Sequence, residues 1–304
     1  MMASVFPTKG MNKIKAKARK IFSYKRFCLT ICGVLLVTQL AAPRVQAAPT
    51  VLYTALGDSI GFGLFAPIGD GYVPTYDRLV EADSGAQVNR INLSVPGWTS
   101  SDLLRAIKGN LLFRISVATS TIVTVNIGGN DLLGSRSAYK DRRCGGADNQ
   151  DCLRTGVAVF RGNFNAILAE VRSLRGARNT IIRTMDVYNP FVNEDRAQNT
   201  WPNDQGNDFQ VFKPYLDAIN SQIAATATAR NIPYARVYLA FNGSNGDIDP
   251  SDRGLLAFDG LHPNGRGHRL IANLLRGLGL KAAKDCADKS VYLWLNMHAK
   301  NRRW

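Results

Sequence analysis

From Thr50 onward the chain alternates short apolar runs rich in β-branched residues with longer stretches whose apolar positions recur every three or four residues. The runs Val51–Leu56, Val88–Leu93, Thr121–Ile127, Thr180–Val187 and Ala235–Phe241 are apolar on both faces or nearly so, the pattern of buried parallel strands. Phe160, Phe164, Ile167, Leu168, Val171 and Leu174 repeat at helical spacing, as do Leu216, Ile219 and Ile223, and again Leu270, Ile271, Leu274, Leu275 and Leu278. This alternation predicts an α/β fold, a three-layer α/β/α sandwich around a central, mainly parallel five-stranded sheet. No internal repeat or Pro/Ser linker divides residues 48–280, which read as one domain. Two connections interrupt the rhythm, Leu132 to about Thr155 and Tyr188 to about Lys213, and loops of that length in a compact domain are usually functional or disordered.

Ahead of the alternating part, a basic stretch from Lys9 to Arg26 precedes an uncharged run from Phe27 to Pro43, followed by Val45-Gln46-Ala47. That order predicts a bacterial-type signal peptide over residues 1–47 and a secreted or extracytoplasmic protein. The competing reading is an uncleaved membrane anchor, but the run falls short of the ~20 residues that a bilayer-spanning helix takes. With 45% hydrophobic and 20% charged residues among 304, the composition excludes a disordered, collagen-like or coiled-coil chain. A net charge of +15 would suggest a polyanionic partner. Nine of the 38 Lys/Arg and none of the 23 Asp/Glu fall in residues 1–47, however, so the leader carries most of that charge and no nucleic-acid partner is expected.

Cys28 and Cys32 belong to the leader. Cys144 and Cys152 enclose a Gly/Asp/Asn-rich loop that a disulfide bridges readily outside the reducing cytoplasm; zinc, the alternative, lacks two further ligands nearby. Cys286 has no assigned partner, and the tail 281–304, with Tyr292 and Trp294, has no assigned role.

Open parallel sheets bind ligands beyond the carboxyl ends of their strands. The residues there are Gly57-Asp58-Ser59-Ile60, then Ser94-Val95-Pro96-Gly97-Trp98, then Gly128-Gly129-Asn130-Asp131, and, just before the last predicted helix, Asp259-Gly260-Leu261-His262-Pro263. With these four blocks in this order the sequence resembles the SGNH hydrolases, the GDSL esterase/lipase family, its name letters falling on Ser59, Gly97, Asn130 and His262. The resemblance runs from Tyr53 to about Leu278, with Ile60 where the family usually has Leu. It implies a flavodoxin-like sandwich and esterase, lipase, lysophospholipase or thioesterase activity. A small-molecule or lipid ester as substrate, no metal or cofactor, a monomer, and transient contact with a membrane or cell surface are the accompanying expectations.

The roles follow from chemistry as well. A serine hydroxyl needs a base to become a nucleophile, and His262 is suited to take its proton and later return it to the leaving alcohol. Asp259, three residues earlier, is placed to orient the imidazole. The Ser59 and Gly97 N–H groups and the Asn130 amide supply an oxyanion hole. The alternatives are a polysaccharide O-acetyl esterase with the same catalytic atoms, or a non-catalytic surface-binding protein on the same scaffold.

Other polar residues read as structural. Asp58 and Asp131 abut tight turns, where carboxylates bond backbone N–H groups, and His268 and His298 read as solvent-facing. Gly57, Gly61 and Gly63 have the wrong spacing for a dinucleotide loop. Asp247, Asp249 and Asp252 lack the order and terminal Glu of a calcium loop and read as a solvated turn.

Overall fold

The computed structural model describes residues 48–176, 179–202 and 206–281. The predicted leader 1–47, Cys286, His298 and the tail beyond Lys281 lie outside these residues. Five strands, β1 (Thr50–Gly57), β2 (Gln87–Asn92), β3 (Ile122–Asn126), β4 (Ile181–Met185) and β5 (Tyr234–Ala235), form one sheet in the order β2-β1-β3-β4-β5. Every pairing is parallel, with Tyr53 opposite Ile122 and Ile122 opposite Ile181.

Side chains alternate between two helical layers. Val51, Tyr53 and Ala55 of β1 face α2 (Tyr72–Ser84), α9 (Val237–Asn242) and α10 (Gly265–Gly277), where Tyr72, Tyr76, Phe241, Ile271 and Leu275 bury their side chains. Leu56 of β1 and Val123 and Val125 of β3 face the opposite layer of α3 (Ser100–Gly109), α4 (Leu111–Thr119), α6 (Asp151–Arg175) and α8 (Asp208–Ala229). The long α6 stripe Phe160, Phe164, Ile167, Leu168 and Val171 is fully buried there. This is the predicted three-layer α/β/α arrangement. Among the described residues no helix is long and apolar enough to cross a membrane.

Several elements differ from their predicted form. The fifth run is a strand for two residues only and then turns into α9, because the Asp186 carboxylate, just beyond β4, accepts the Tyr238 N–H at 2.7 Å and caps the new helix. β2 is buried on neither face for most of its length, being the edge of the sheet with one neighbour. The first long connection is mostly helical: α5 (Gly129–Lys140) occupies its start and α6 its end, leaving residues 141–150 between them. Cys144 of that stretch and Cys152, in the first turn of α6, stand with Cα atoms 4.8 Å apart, inside the span of a disulfide. The second connection holds the short α7 (Val192–Arg196) and ends where Asn207 and Gln210 form a capping box for α8.

His268 is completely buried rather than solvent-facing. The N-cap of α2 is Gly71, which has no side chain to satisfy the first N–H groups of the helix. His268 Nδ1 supplies the acceptor from α10, taking the Tyr72 N–H at 3.2 Å, and burial pushes the imidazole down to about 4, so it stays neutral. Asp249 is buried too: its oxygens accept the backbone N–H groups of Asn193 and Ser251, tying the start of α7 to the 247–252 turn.

Candidate active site

The strand order reverses at β1 and β3, and the two segments leaving those strands carry Ser59 and Asn130. Ser59 is the first residue of α1 (Ser59–Phe62), a single turn whose N-cap is Asp58; the carboxylate accepts the Ile60 N–H at 2.9 Å. The Ser59 N–H, at the first helical position, has no acceptor within the helix. Asp58 is further held by the Asn126 amide at 3.0 Å, and the Tyr72 hydroxyl donates to the Asn126 oxygen at 3.1 Å. Gly57 is what lets Asn126 come so close, since a Cβ there would collide with the amide. Burial pushes the Asp58 carboxyl up to about 6, against the pull of the Ile60 N–H and the Asn126 amide.

β1–β2 pairing continues past the strand ends: Leu93 N donates to Ala55 O and Val95 N to Gly57 O. The register therefore brings Val95 to the end of β1, and Gly97 follows on the turn closed by Trp98 N to Val95 O. Gly97 has φ +81°, which a residue with a side chain rarely adopts, and the space where a Cβ would sit is open. The turn leads into α3, capped by a reciprocal Thr99–Asp102 box. Asp131 accepts the Ser100 N–H at 2.9 Å and its hydroxyl, locking the start of α3 to the start of α5. Burial raises the Asp131 carboxyl, and the Ser100 bonds oppose that rise. Asn130, one residue earlier, donates one amide N–H to Trp98 O at 2.9 Å, and its Nδ2 carries a second.

The fourth block is a hairpin-like loop closed by an antiparallel bridge between Leu256 and Pro263. One Asp259 oxygen accepts the Leu261 and His262 N–H groups at 3.2 and 3.1 Å; the other bonds His262 Nδ1. Burial would raise the Asp259 carboxyl, but the bonds from the His262 ring and from both N–H groups outweigh it and hold the group below its ordinary value. Tyr188 Oη donates to Leu261 O at 2.6 Å and braces the loop from beyond β4. His262 Nε2 then lies 2.9 Å from Ser59 Oγ across 203 residues of sequence.

Ser59, Asn130 and His262 line one cavity of about 120 Å³. Asp259 stands outside the lining, on the far nitrogen of His262, and Gly97 on its turn. Much of the wall is apolar, including Ile127, Leu132, Leu133, Val187, Phe191 and Leu216. Two of its residues are charged and paired: Arg136 bonds the almost fully buried Asp195 at 2.6 Å while its guanidinium lies 3.9 Å over the Phe191 ring. Sequence reasoning brought together Ser59, Asp259 and His262 as hydrogen-bonded neighbours, and Gly97 and Asn130 on the adjoining turns. It missed Asn126, Tyr72 and Arg136. A polar Asn ending an otherwise apolar strand was the available signal for the first. Among the described residues no group of three or more His, Cys, Asp or Glu is placed to hold a metal ion.

Comparison with known proteins gives the family and agrees with the fold. The family model of the GDSL-like lipase/acylhydrolase family matches residues 55–270. The spore germination lipase LipC of Bacillus licheniformis is 25% identical over 236 residues, 76% of this chain and 97% of that protein. Among solved structures, the lipase Lip_vut3 from a goat rumen metagenome superposes with a TM-score of 0.63 at 23% identity, covering 77% of this chain and all of that one. A mutant of Axe2, an acetyl-xylooligosaccharide esterase from Geobacillus, superposes with a TM-score of 0.53 at 19% identity, covering 77% of this chain and 97% of that one.

Proposed function

Since the chain belongs to the GDSL-like lipase/acylhydrolase family, and so to the hydrolases of esterase/lipase type, we propose that it cleaves carboxylic esters through an acyl-enzyme on Ser59. The observation that carries the reading is the 2.9 Å approach of His262 Nε2 to Ser59 Oγ, with Asp259 bonded to the opposite ring nitrogen. In this mechanism His262 takes the Ser59 proton as the oxygen attacks the ester carbonyl carbon. The negative charge passes to the carbonyl oxygen, met by the Ser59 and Gly97 N–H groups and the Asn130 amide. Collapse of the tetrahedral species breaks the C–O bond, and His262 returns the proton to the departing alcohol. Water, deprotonated by His262, then releases the acid and restores Ser59. Asp259 keeps the imidazole in the tautomer that presents a bare Nε2 to the serine.

The apolar wall beside Ser59 favours an acyl chain longer than acetate, a lipid-type ester. A fluorophosphonate probe tests the chemistry: it labels the wild-type protein and not Ser59→Ala. A folded wild-type protein that stays unlabelled would instead be a binding protein on this scaffold. A series of nitrophenyl esters tests the chain length. Turnover rises beyond acetate, whereas activity confined to acetate would point to an O-acetyl esterase. The reading extends to export and to a Cys144–Cys152 disulfide, both tested by mass spectrometry of the exported protein: free thiols at 144 and 152 remove the bridge.

A further inference from the structure

Beside the His262 ring the surface is apolar where solvent would favour polar residues. Phe65 lies 5.3 Å from the His262 ring and packs edge-to-face on Phe258 at 5.0 Å. Phe258 is 90% exposed, Ile68 is fully exposed, and Phe62, at the end of the same turn as Ser59, is more than half exposed. The exposure is built by turns. Phe258 follows Ala257 in the turn closed by Gly260 N to Ala257 O, the one that also carries Asp259. Ile68 occupies the corresponding place in a turn closed by Asp70 N to Pro67 O. Arg78 clamps that second turn by donating to Gly69 O at 2.9 Å. Phe65 itself sits at φ +61°, a conformation uncommon for any residue with a bulky side chain and a mark of a position held for a purpose.

The flank of this rim is basic. Arg78 and Arg269 share one carboxylate, Asp70, at 3.6 and 3.5 Å, and all three are well exposed. A Cβ on Gly265 would touch both the Pro67 ring and the Arg269 guanidinium, which places Arg269 beside the Ile68 turn. Arg266, from the same helix, is exposed and reaches towards Gly254 at the base of the hairpin bearing Phe258. Two arginines on one carboxylate, with Arg266 at the base of the neighbouring hairpin, leave an excess of positive charge next to exposed aromatic and aliphatic tips. That combination matches the interface of an anionic lipid layer, where apolar tips enter the acyl boundary and cations meet the headgroups.

We propose that the rim formed by Phe65, Ile68 and Phe258, with Arg78, Arg266 and Arg269 at its edge, docks the protein on an anionic phospholipid surface and sets the mouth of the Ser59 cavity against it. The inference rests on the ester-hydrolase reading for its purpose, though not for its test. The rim is continuous with the active site through the Phe65–His262 contact, so docking places an ester carbonyl near Ser59 without its crossing bulk water. Salt weakens the headgroup contribution and leaves the apolar one.

The full chain carrying Ser59→Ala, which binds without hydrolysis, is mixed with vesicles of phosphatidylglycerol and phosphatidylcholine or of phosphatidylcholine alone. The expected result is flotation with the anionic vesicles and slowed amide hydrogen exchange in residues 63–70 and 256–261. Adding Ile68→Ser weakens vesicle affinity by about tenfold, the order expected from one exposed aliphatic side chain entering the layer. In the Ser59 background the same substitution leaves turnover of a soluble short ester unchanged, which also shows that the variant folds. Exchange at 63–70 and 256–261 that ignores the anionic vesicles overturns the proposal. So does equal binding to neutral vesicles, or an affinity indifferent to Ile68→Ser. Fluorophosphonate labelling is scored separately, so a failed hydrolase reading and a failed docking surface are told apart.

Discussion

Around Ser59 and His262 the key carboxylates bond backbone groups two or three residues away, whereas around Arg136 they bond cations 55 to 68 residues away. Both regions border the same cavity. At the first, Asp58 caps α1 and Asp259 pins the loop that presents His262, so each reactive group is set by its own short turn. At the second, Arg136 and Lys140 of α5 meet Glu194 and Asp195 of α7 and Asp208 of α8, with Lys140 at 2.6 Å from Asp208. The chemistry is thus held locally and the far wall of the cavity by ion pairs among three helices. Damage to the first region should fall on rate, and damage to the second on stability.

The largest effect belongs to Ser59→Ala and Asp259→Asn, each expected to lower kcat/KM for any ester by about 10⁴ or more. Thermal melting of Ser59→Ala stays close to wild type, since the hydroxyl is no part of the cap on its helix; a large drop in Tm would break the assignment of chemistry to this corner. Next comes Asp195→Ala. Asp195 is 1% exposed, and removing it takes from Arg136 and Lys140 the buried carboxylate they share, leaving each with one acidic partner, Glu194 and Asp208. The loss is expected to be about 3 kcal/mol in urea unfolding, with turnover of an acetate ester little changed in the folded protein. Asn130→Ala sharpens the comparison from the other side. It should cost 10²–10³ in kcat, roughly 3–4 kcal/mol of barrier, with KM for a short ester nearly constant. A KM effect alone would move Asn130 out of the oxyanion site.

The same division explains what the sequence alone could tell. Ser59, Gly97, Asn130, Asp259 and His262 could be picked out as candidates because four short blocks, beyond strand ends and before the last helix, follow one another in the order of the family they resemble. Four strands were legible from apolar runs. The fifth was not, because the run Ala235–Phe241 fits a strand and a buried helix equally well, and the deciding cap comes from Asp186, 52 residues before its partner Tyr238. His268 escaped for the same cause: nothing near it in sequence shows that the Tyr72 N–H, 196 residues away, lacks a cap. The Arg136 cluster read as a polar connection because ion pairs between helices leave no periodic trace.

Asp58 gives the smallest effect and the most direct test of the local region. Its carboxyl ionises near 6 in the folded protein against about 3.8 in an exposed chain. Below pH 4 both states hold the proton, so the group is neutral to stability. Between about pH 4 and 6 the folded state keeps a proton that the unfolded state has lost, and rising pH favours unfolding; above 6 the penalty is constant, on the order of 2–3 kcal/mol. Asp186, also pushed up to about 6 by burial, acts in the same direction. His268 acts oppositely: neutral in the fold down to about 4 and charged in the unfolded chain below 6.5, it adds stability as pH rises between those values. Both remain when Asp58→Asn is made, so the difference between the two proteins isolates Asp58. An asparagine there keeps an oxygen for the Ile60 N–H and the Asn126 amide, so the cap survives. The variant is expected to match wild type at pH 4 and to exceed it by about 2 kcal/mol at pH 8, read from urea unfolding at one-unit steps. A difference that does not change with pH would mean that Asp58 ionises in the fold as freely as in water, and that the turn beneath Ser59 is wetter than its bonding implies.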